Sequence, residues 1–137
     1  MIGAVAGVAI LLSLATLHLY WAVGGTFGKG AAIPERNGKP VLRPSPTGTL
    51  VVAVGIYAIA ILVAARVGWF TVPNSSLGLR VAVWLAAGVF AARAVGDFRY
   101  VGFFKRVRGT RFARFDTRYY SPLCCLLALL LVDAAVA

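Results

Sequence analysis

Residues 2–23, IGAVAGVAILLSLATLHLYWAV, form an apolar stretch without a single Asp, Glu, Lys or Arg. A helix of this length, at about 1.5 Å per residue, covers the roughly 30 Å hydrocarbon core of a bilayer. Three further apolar stretches lie at residues 50–65, 77–95 and 119–136. A hydrophobic fraction of 61% and a mean hydropathy of +0.87 also place the chain in the membrane class. We therefore predict an all-α fold, an antiparallel bundle of four transmembrane helices that forms a single domain over residues 1–137.

The lysines and arginines are distributed unevenly among the polar segments between these stretches. The first and third segments hold eleven of the fourteen, namely Lys29, Arg36, Lys39, Arg43, Arg99, Lys105, Arg106, Arg108, Arg111, Arg114 and Arg118. The second segment is flanked only by Arg66 and Arg80. Because cytoplasmic loops retain positive charge, we predict that the first and third segments form an ordered cytoplasmic cap. Both termini are then expected outside the cytoplasm.

Composition also bears on the location and the partners of the chain. The frequent Ala, Val, Gly and Arg indicate a bacterial source, so the expected location is the inner membrane, as a multi-pass protein. Since the N-terminus lacks a basic region and a cleavage site, the first stretch is expected to be a retained helix. A net charge of +10 with no recognition motif favours anionic lipids of the cytoplasmic leaflet over nucleic acid as partners.

Metal and cofactor sites are not predicted. One histidine, two adjacent cysteines (Cys124 and Cys125) and four scattered carboxylates match no common ligand pattern. Known phosphate-binding, dinucleotide-binding and hydrolase motifs are also missing from the sequence. We therefore expect neither a metal nor a cofactor.

Ionisable side chains converge on the predicted cytoplasmic end. His18 is near the end of the first helix, Arg93 and Asp97 near the end of the third, and Asp116 and Arg118 just before the fourth. Charged groups at membrane depth are costly, so they usually face the bundle interior and pair. One interpretation is structural: Arg93 and Asp97, four residues apart, form an ion pair, and Asp116 with Arg118 holds the basic loop in place.

The alternative interpretation is a polar pocket between helices one and three that opens to the cytoplasmic leaflet. His18 would donate or accept a proton there and Asp97 would orient it, which makes these two the candidate catalytic residues. The candidate ligand-binding residues are Tyr20, Trp21, Arg93, Tyr100, Asp116 and Arg118.

Small residues at four-residue spacing predict where helices pack closely. Gly3 and Gly7 form one such stripe, and Gly88, Ala92 and Gly96 form another. Either stripe could dock a helix from another protein.

Local motifs predict the ends of the helices. Ser121–Pro122 has the form of an N-cap followed by a first-turn proline, so helix four is expected to begin there. Residues 73–76, PNSS, predict the turn between helices two and three. Residues 101–118 mix phenylalanines with cations and predict an amphipathic segment that lies in the membrane interface.

Three motifs together resemble a known family. They are HLYWAVGG at residues 18–25, RAVGDFRYVGFFKR at residues 93–106 and DTRYYSPLC at residues 116–124. With these motifs the chain resembles a family of small bacterial four-helix membrane proteins of unknown function. The resemblance spans nearly the whole chain; it implies the fold and the location and carries no known activity.

Three functions are compatible with these observations. The first is binding of a lipid or a small hydrophobic molecule, with or without catalysis, in the polar pocket. The second is a non-catalytic partner or scaffold subunit of a membrane complex, which predicts a membrane-protein partner. The third is a small transporter, which would require a homo-oligomer because helices two and four carry few polar residues in their middles.

Overall fold

The fold is described here from a computed structural model, which covers residues 1–72 and 76–137. Within these ranges, four helices are long and apolar enough to cross a membrane. The first three are α1 (Ile2–Ala22), α2 (Pro46–Arg66) and α3 (Ser76–Val95). The fourth runs from Arg111 to Val136 and comprises α4 (Arg111–Phe115), a π-helical turn (Asp116–Tyr120) and α5 (Ser121–Val136). The turn predicted at residues 73–76 falls mainly outside the described residues.

The long helices form an antiparallel bundle, as the sequence predicted. α1 packs along α2 and α3 packs along α5, while contacts of α1 with α5 and of α2 with α3 close the arrangement. The centre is filled by branched side chains that are 0–1% exposed, namely Leu11, Val63, Val83, Leu127 and Leu131. Each of the four long helices also contributes buried alanines, which allow the backbones to approach closely.

The outer surface of the bundle is also apolar. Val54, Ile61, Leu85, Val89 and Leu129 are each more than half exposed. A helix that is hydrophobic on all sides suits a lipid environment, because its outer face would otherwise meet water. The exposed side chains therefore agree with the membrane assignment made from hydropathy.

The glycine stripe of α1 lies inside the bundle. A Cβ atom on Gly7 would lie 3.5 Å from Leu130 of α5, and one on Gly3 would lie 2.9 Å from the Asp133 carboxylate of the same helix. These glycines bring α1 close to α5, so they are not a free docking surface. In the second predicted stripe Gly96 ends helix α3, and only Gly88 and Ala92 remain as exposed helical positions.

Helix α2 begins at Pro46, four residues before the apolar stretch that starts at residue 50. The hydroxyl of Ser45 accepts a hydrogen bond from the backbone N–H of Gly48 at 3.0 Å, and Pro46 occupies the first turn. A hydroxyl N-cap followed by proline satisfies the free amides of a first turn. The helix therefore extends over 21 residues, about the length that a bilayer requires.

The fourth helix begins ten residues before the predicted N-cap at Ser121. Thr110 is its N-cap, and its side chain accepts from the N–H of Ala113 at 3.0 Å. Ser121 is fully buried inside the continuous helical segment. The prediction of a helix start at Ser121–Pro122 was therefore wrong, because residues 111–120 are already helical and continue into α5. The position of residues 101–118 in the membrane interface stays a prediction.

The two segments at one end of the bundle, residues 23–45 and 96–120, form an ordered cap. The first contains a 3₁₀ turn (Lys29–Ala31) and a two-stranded hairpin of β1 (Glu35–Arg36) and β2 (Lys39–Pro40). The Tyr120 hydroxyl donates to the Ala31 carbonyl at 3.1 Å, which joins the two segments. We call this the capped end.

Two glycines let the chain after α3 fold back onto that helix. Gly96 and Gly102 have positive φ angles of 89° and 88°, and a Cβ atom on either would collide with the backbone of the other segment. The N–H of Phe103 then donates to the Ala94 carbonyl at 2.8 Å. Since only glycine tolerates both the angle and the contact, this pair fixes the path of the loop.

We expect Gly102→Ala to destabilise the protein more than Gly109→Ala. Both positions have a positive φ, which costs a substituted alanine about 1–3 kcal/mol. Only Gly102 also meets backbone atoms, which adds about 1–3 kcal/mol of overpacking. Apparent melting temperatures in detergent measure the difference. Equal losses in the two variants would show that the contact between Gly96 and Gly102 is unimportant.

Candidate functional site

A cavity of about 200 Å³ lies at the capped end, between α1, α2 and the first segment of the cap. His18 and Trp21 of α1 form one side and Thr49 and Val52 of α2 another. The first cap segment contributes Lys29, Ala32, Ile33, Pro34, Leu42 and Pro44. The predicted pocket between helices one and three is therefore wrong in its position: His18 and Trp21 do line a cavity, but its second wall is α2.

The imidazole of His18 is held by its own helix. Its Nδ1 atom lies 2.8 Å from the Leu14 carbonyl oxygen, and since a carbonyl only accepts, Nδ1 carries the proton. The Trp21 ring packs edge-on at 5.2 Å, and the Trp21 Nε1–H donates to the Phe27 carbonyl at 2.8 Å. Among the described residues, Nε2 of His18 has no hydrogen-bond partner. That nitrogen is free to accept a hydrogen bond, and His18 is one of the residues that line the cavity.

The second polar feature is the fully buried carboxylate of Asp116. Its Oδ1 accepts from Arg93 at 2.9 Å, and its Oδ2 accepts from Lys105 at 2.9 Å and from the N–H of Gly102 at 2.8 Å. Lys105 is 2% exposed and also donates to the Gly102 carbonyl and to the Thr117 hydroxyl. One carboxylate thus joins α3, the folded-back loop and the π-helical turn.

Asp97 has a different role from the one predicted. Its Oδ1 accepts the backbone N–H groups of Arg99, Tyr100 and Val101 at 2.8–3.0 Å. Its limited burial alone would raise the pKa of Asp97, but these hydrogen bonds outweigh that effect and hold the pKa below its ordinary value. The carboxylate stabilises the turn after α3, next to Phe98 with its positive φ of 62°.

Both predicted ion pairs are therefore wrong. Arg93 pairs with Asp116 instead of Asp97, and Asp116 pairs with Arg93 and Lys105 instead of Arg118. Within residues 1–72 and 76–137, His18 and Asp97 share no hydrogen bond, because each is bound to backbone groups. The prediction that Asp97 orients His18 was consequently wrong.

Of the remaining predicted ligand-binding residues, Tyr20 lies near the end of α1, and Tyr100 and Arg118 lie in the cap. The Tyr20 hydroxyl accepts from the N–H of Phe27 at 3.3 Å. The guanidinium of Arg99 covers the Tyr100 ring at 5.1 Å, and that of Arg118 covers the Tyr119 ring at 5.6 Å. None of these three predicted residues contacts the His18 cavity.

Lys105 was not among the predicted site residues. The sequence pattern placed it only among the cations of the predicted cap, yet its ammonium group is buried and donates three hydrogen bonds. The sequence did contain a signal for a special role of this residue, since Lys105 lies inside the RAVGDFRYVGFFKR motif together with Arg93 and Gly102. Hydropathy could not distinguish this lysine from its exposed neighbour Arg106.

The described residues contain no group of three His, Cys, Asp or Glu side chains that could hold a metal ion. Cys124 is half-buried, Cys125 is exposed, and both are free thiols.

The chain belongs to the family described as "Protein of unknown function (DUF3995)", whose model matches residues 11–131. No curated protein and no solved structure matches the chain. The matched range includes the His18 cavity and the Asp116 cluster.

We expect Asp116→Asn to lower the stability by about 3–5 kcal/mol, because it leaves the buried Lys105 and the neighbouring Arg93 without a counter-charge. Asp133→Asn, the same chemical change on an exposed residue at the opposite end, is the control. Apparent melting temperatures in detergent compare the two. A D116N variant as stable as D133N would show that the cluster does not hold the cap together.

The lowered pKa of Asp97 predicts a pH-dependent contribution to stability. The folded state binds this proton less tightly than the unfolded chain, so the contribution is present above the ordinary pKa of 3.8 and is lost as the pH falls through the lowered pKa. The wild type should therefore melt above D97N at pH 7, and the gap should narrow toward pH 3. A gap that is independent of pH would contradict the assigned role of Asp97.

Proposed function

We propose that this chain is a multi-pass protein of the bacterial inner membrane that binds a small hydrophobic molecule, or the end of a lipid chain, in the His18 cavity. Its capped end would face the cytoplasm and both termini the opposite side. The charge distribution supports this orientation, since the two cap segments carry eleven of the fourteen lysines and arginines. The observation that carries the proposed binding is the cavity itself.

The size of the cavity limits what it could hold. A cavity of about 150 Å³ is sufficient for a benzene molecule, so about 200 Å³ admits a small ring system or a short acyl segment. Its wall extends to Val52, six residues or about 9 Å along α2 from Pro46. The cavity thus reaches from the cap toward the hydrocarbon region, where hydrophobic molecules concentrate.

The lining suits a ligand that is mostly apolar with one hydrogen-bond donor. Ile33, Leu42 and Val52 supply apolar surface, and Trp21 supplies an aromatic edge. Nε2 of His18 would accept one hydrogen bond, since Nδ1 is already bound to Leu14. Such an arrangement of apolar walls with one oriented polar group is typical of small-molecule sites.

Binding is better supported than catalysis. His18 lacks the partner that would tune it as a general acid or base, because the Asp97 carboxylate accepts three backbone amides. The buried carboxylate of Asp116 is occupied by two cations. We therefore propose that the site binds its ligand without a chemical step.

A second candidate function is that of a partner subunit, favoured by an apolar groove of about 450 Å³ between α3 and α5. Trp84, Gly88, Ala91 and Leu129 line this groove, and a side chain on Gly88 would meet open space. Small residues allow another helix to approach closely. This function predicts that blocking the His18 cavity has no biochemical effect.

Indole and indene test the proposed cavity in the detergent-purified chain. They have nearly the same size and shape, but only indole has an N–H group that could donate a hydrogen bond to Nε2 of His18. We expect indole to raise the apparent melting temperature more than indene does, because a ligand that binds the folded state stabilises it. Ala32→Phe should fill the cavity and remove both effects, and His18→Phe should remove the advantage of indole.

Ala58→Phe is the matched control, because Ala58 is exposed on α2 and does not line the cavity. Its response to both probes should equal that of the wild type, which separates binding in the cavity from partition into detergent. The same response in A32F and A58F would exclude the cavity as a binding site and favour the partner-subunit function.

A further inference from the structure

We propose that a second site at the capped end binds a phosphate group, and that a lipid headgroup presents this group at the membrane surface. The site is an open depression of about 400 Å³. Lys105, Arg108, Arg114, Thr117 and Arg118 line it together with two small residues. The depression and the His18 cavity share no lining residue, so this proposal and the proposed function can fail separately.

The depression gathers positive charge that the chain itself does not neutralise. The sequence has only four carboxylate side chains. Asp97 and Glu35 accept backbone N–H groups, Asp116 is buried beneath the depression, and Asp133 lies at the opposite end of the bundle. Arg108, Arg114 and Arg118 consequently have no carboxylate partner among the described residues. Their guanidinium groups are therefore free to pair with an external anion.

The three arginines remain available to such an anion. Each is exposed. Arg108 donates one hydrogen bond to the Phe103 carbonyl at 3.2 Å, and Arg118 rests over the ring of Tyr119 at 5.6 Å. These contacts orient the guanidinium groups without consuming most of their donors. A guanidinium group binds phosphate oxygens through two parallel hydrogen bonds, which suits this arrangement.

Lys105 and Thr117 form the floor of the depression and add an oriented donor. All three ammonium protons of Lys105 are used, by Asp116, by the Gly102 carbonyl and by the Thr117 hydroxyl at 2.6 Å. Because the Thr117 oxygen accepts from Lys105, its own O–H proton points elsewhere and has no acceptor among the described residues. The floor thus offers one hydroxyl donor, which the buried Lys105–Asp116 pair orients.

The position of the depression matches the depth of lipid headgroups. Arg118 precedes Ser121, the first residue of α5, by three residues, or about 5 Å along the helix. A bilayer requires about 20 helical residues, more than the 16 of α5, so the interface lies near Thr117 and Arg118. The exposed Tyr119 is of the type that accumulates at this interface. A headgroup phosphate would therefore meet the arginines without leaving the membrane surface.

Native mass spectrometry of the full chain in neutral detergent tests this site. The probes are dioctanoyl phosphatidylglycerol, dioctanoyl phosphatidylcholine and inorganic phosphate. We expect phosphatidylglycerol to bind and the zwitterionic phosphatidylcholine to bind about tenfold more weakly. Displacement of the lipid by inorganic phosphate would show that the site also binds free phosphate. Binding of phosphate alone would support the site and assign it to a soluble ligand.

Two double variants separate a defined site from general attraction to positive charge. R114Q/R118Q removes two cations from the depression and should weaken the binding of phosphatidylglycerol about tenfold or more. R36Q/K39Q removes two cations from the exposed hairpin of the cap, which does not line the depression, and should change binding less than twofold. Circular dichroism verifies the fold of both. Equal weakening in the two variants, or no binding of any probe, would overturn the proposal.

Discussion

The cap depends on a carboxylate that is removed from water. Asp116 is 0% exposed, and a buried carboxylate is tolerable only when cations and amides replace its hydration. Arg93 reaches it from α3, Lys105 and the Gly102 amide reach it from the folded-back loop, and Asp116 itself belongs to the π-helical turn. Each of these segments is thereby fixed relative to the others. The loop between α3 and α4 is consequently an ordered part of the fold despite its high charge.

The helices could be predicted from the sequence, whereas the pairing of the charged side chains could not. Hydropathy is a local property, and the four apolar stretches coincide with the observed helices to within a few residues at most ends. The Arg93–Asp97 pair failed because it assumed a helix that continues through residue 97. Gly96, with its positive φ, ends α3 at Val95, so Asp97 falls beyond the helix and its carboxylate turns to the following amides. Glycine is a common helix terminator, and that signal was present in the sequence.

The start of the fourth helix was missed for a related reason. Ser121 and Pro122 have the composition of a helix start, but they follow ten residues that are already helical. Proline has no N–H, so Pro122 cannot complete the α-helical bond to the carbonyl of Arg118. The π-helical turn immediately before it absorbs this distortion, and the helix continues. The position of the candidate cavity could not be predicted either. It depends on how the first cap segment folds onto α2, and the periodicity of the sequence does not reveal this.

The π-helical turn has a further consequence for the length of the chain in this region. Such a turn contains one more residue than the α-helical path, and this residue sets the rotation of α4 relative to α5. Asp116 and Ser121, five residues apart, are both fully buried because of it. The loss of any one residue between 117 and 120 would rotate α4 by about 100° and turn either Asp116 or the inner face of α5 away from the core. The number of residues in this turn is thus more strictly constrained than the identity of an exposed side chain such as Tyr119.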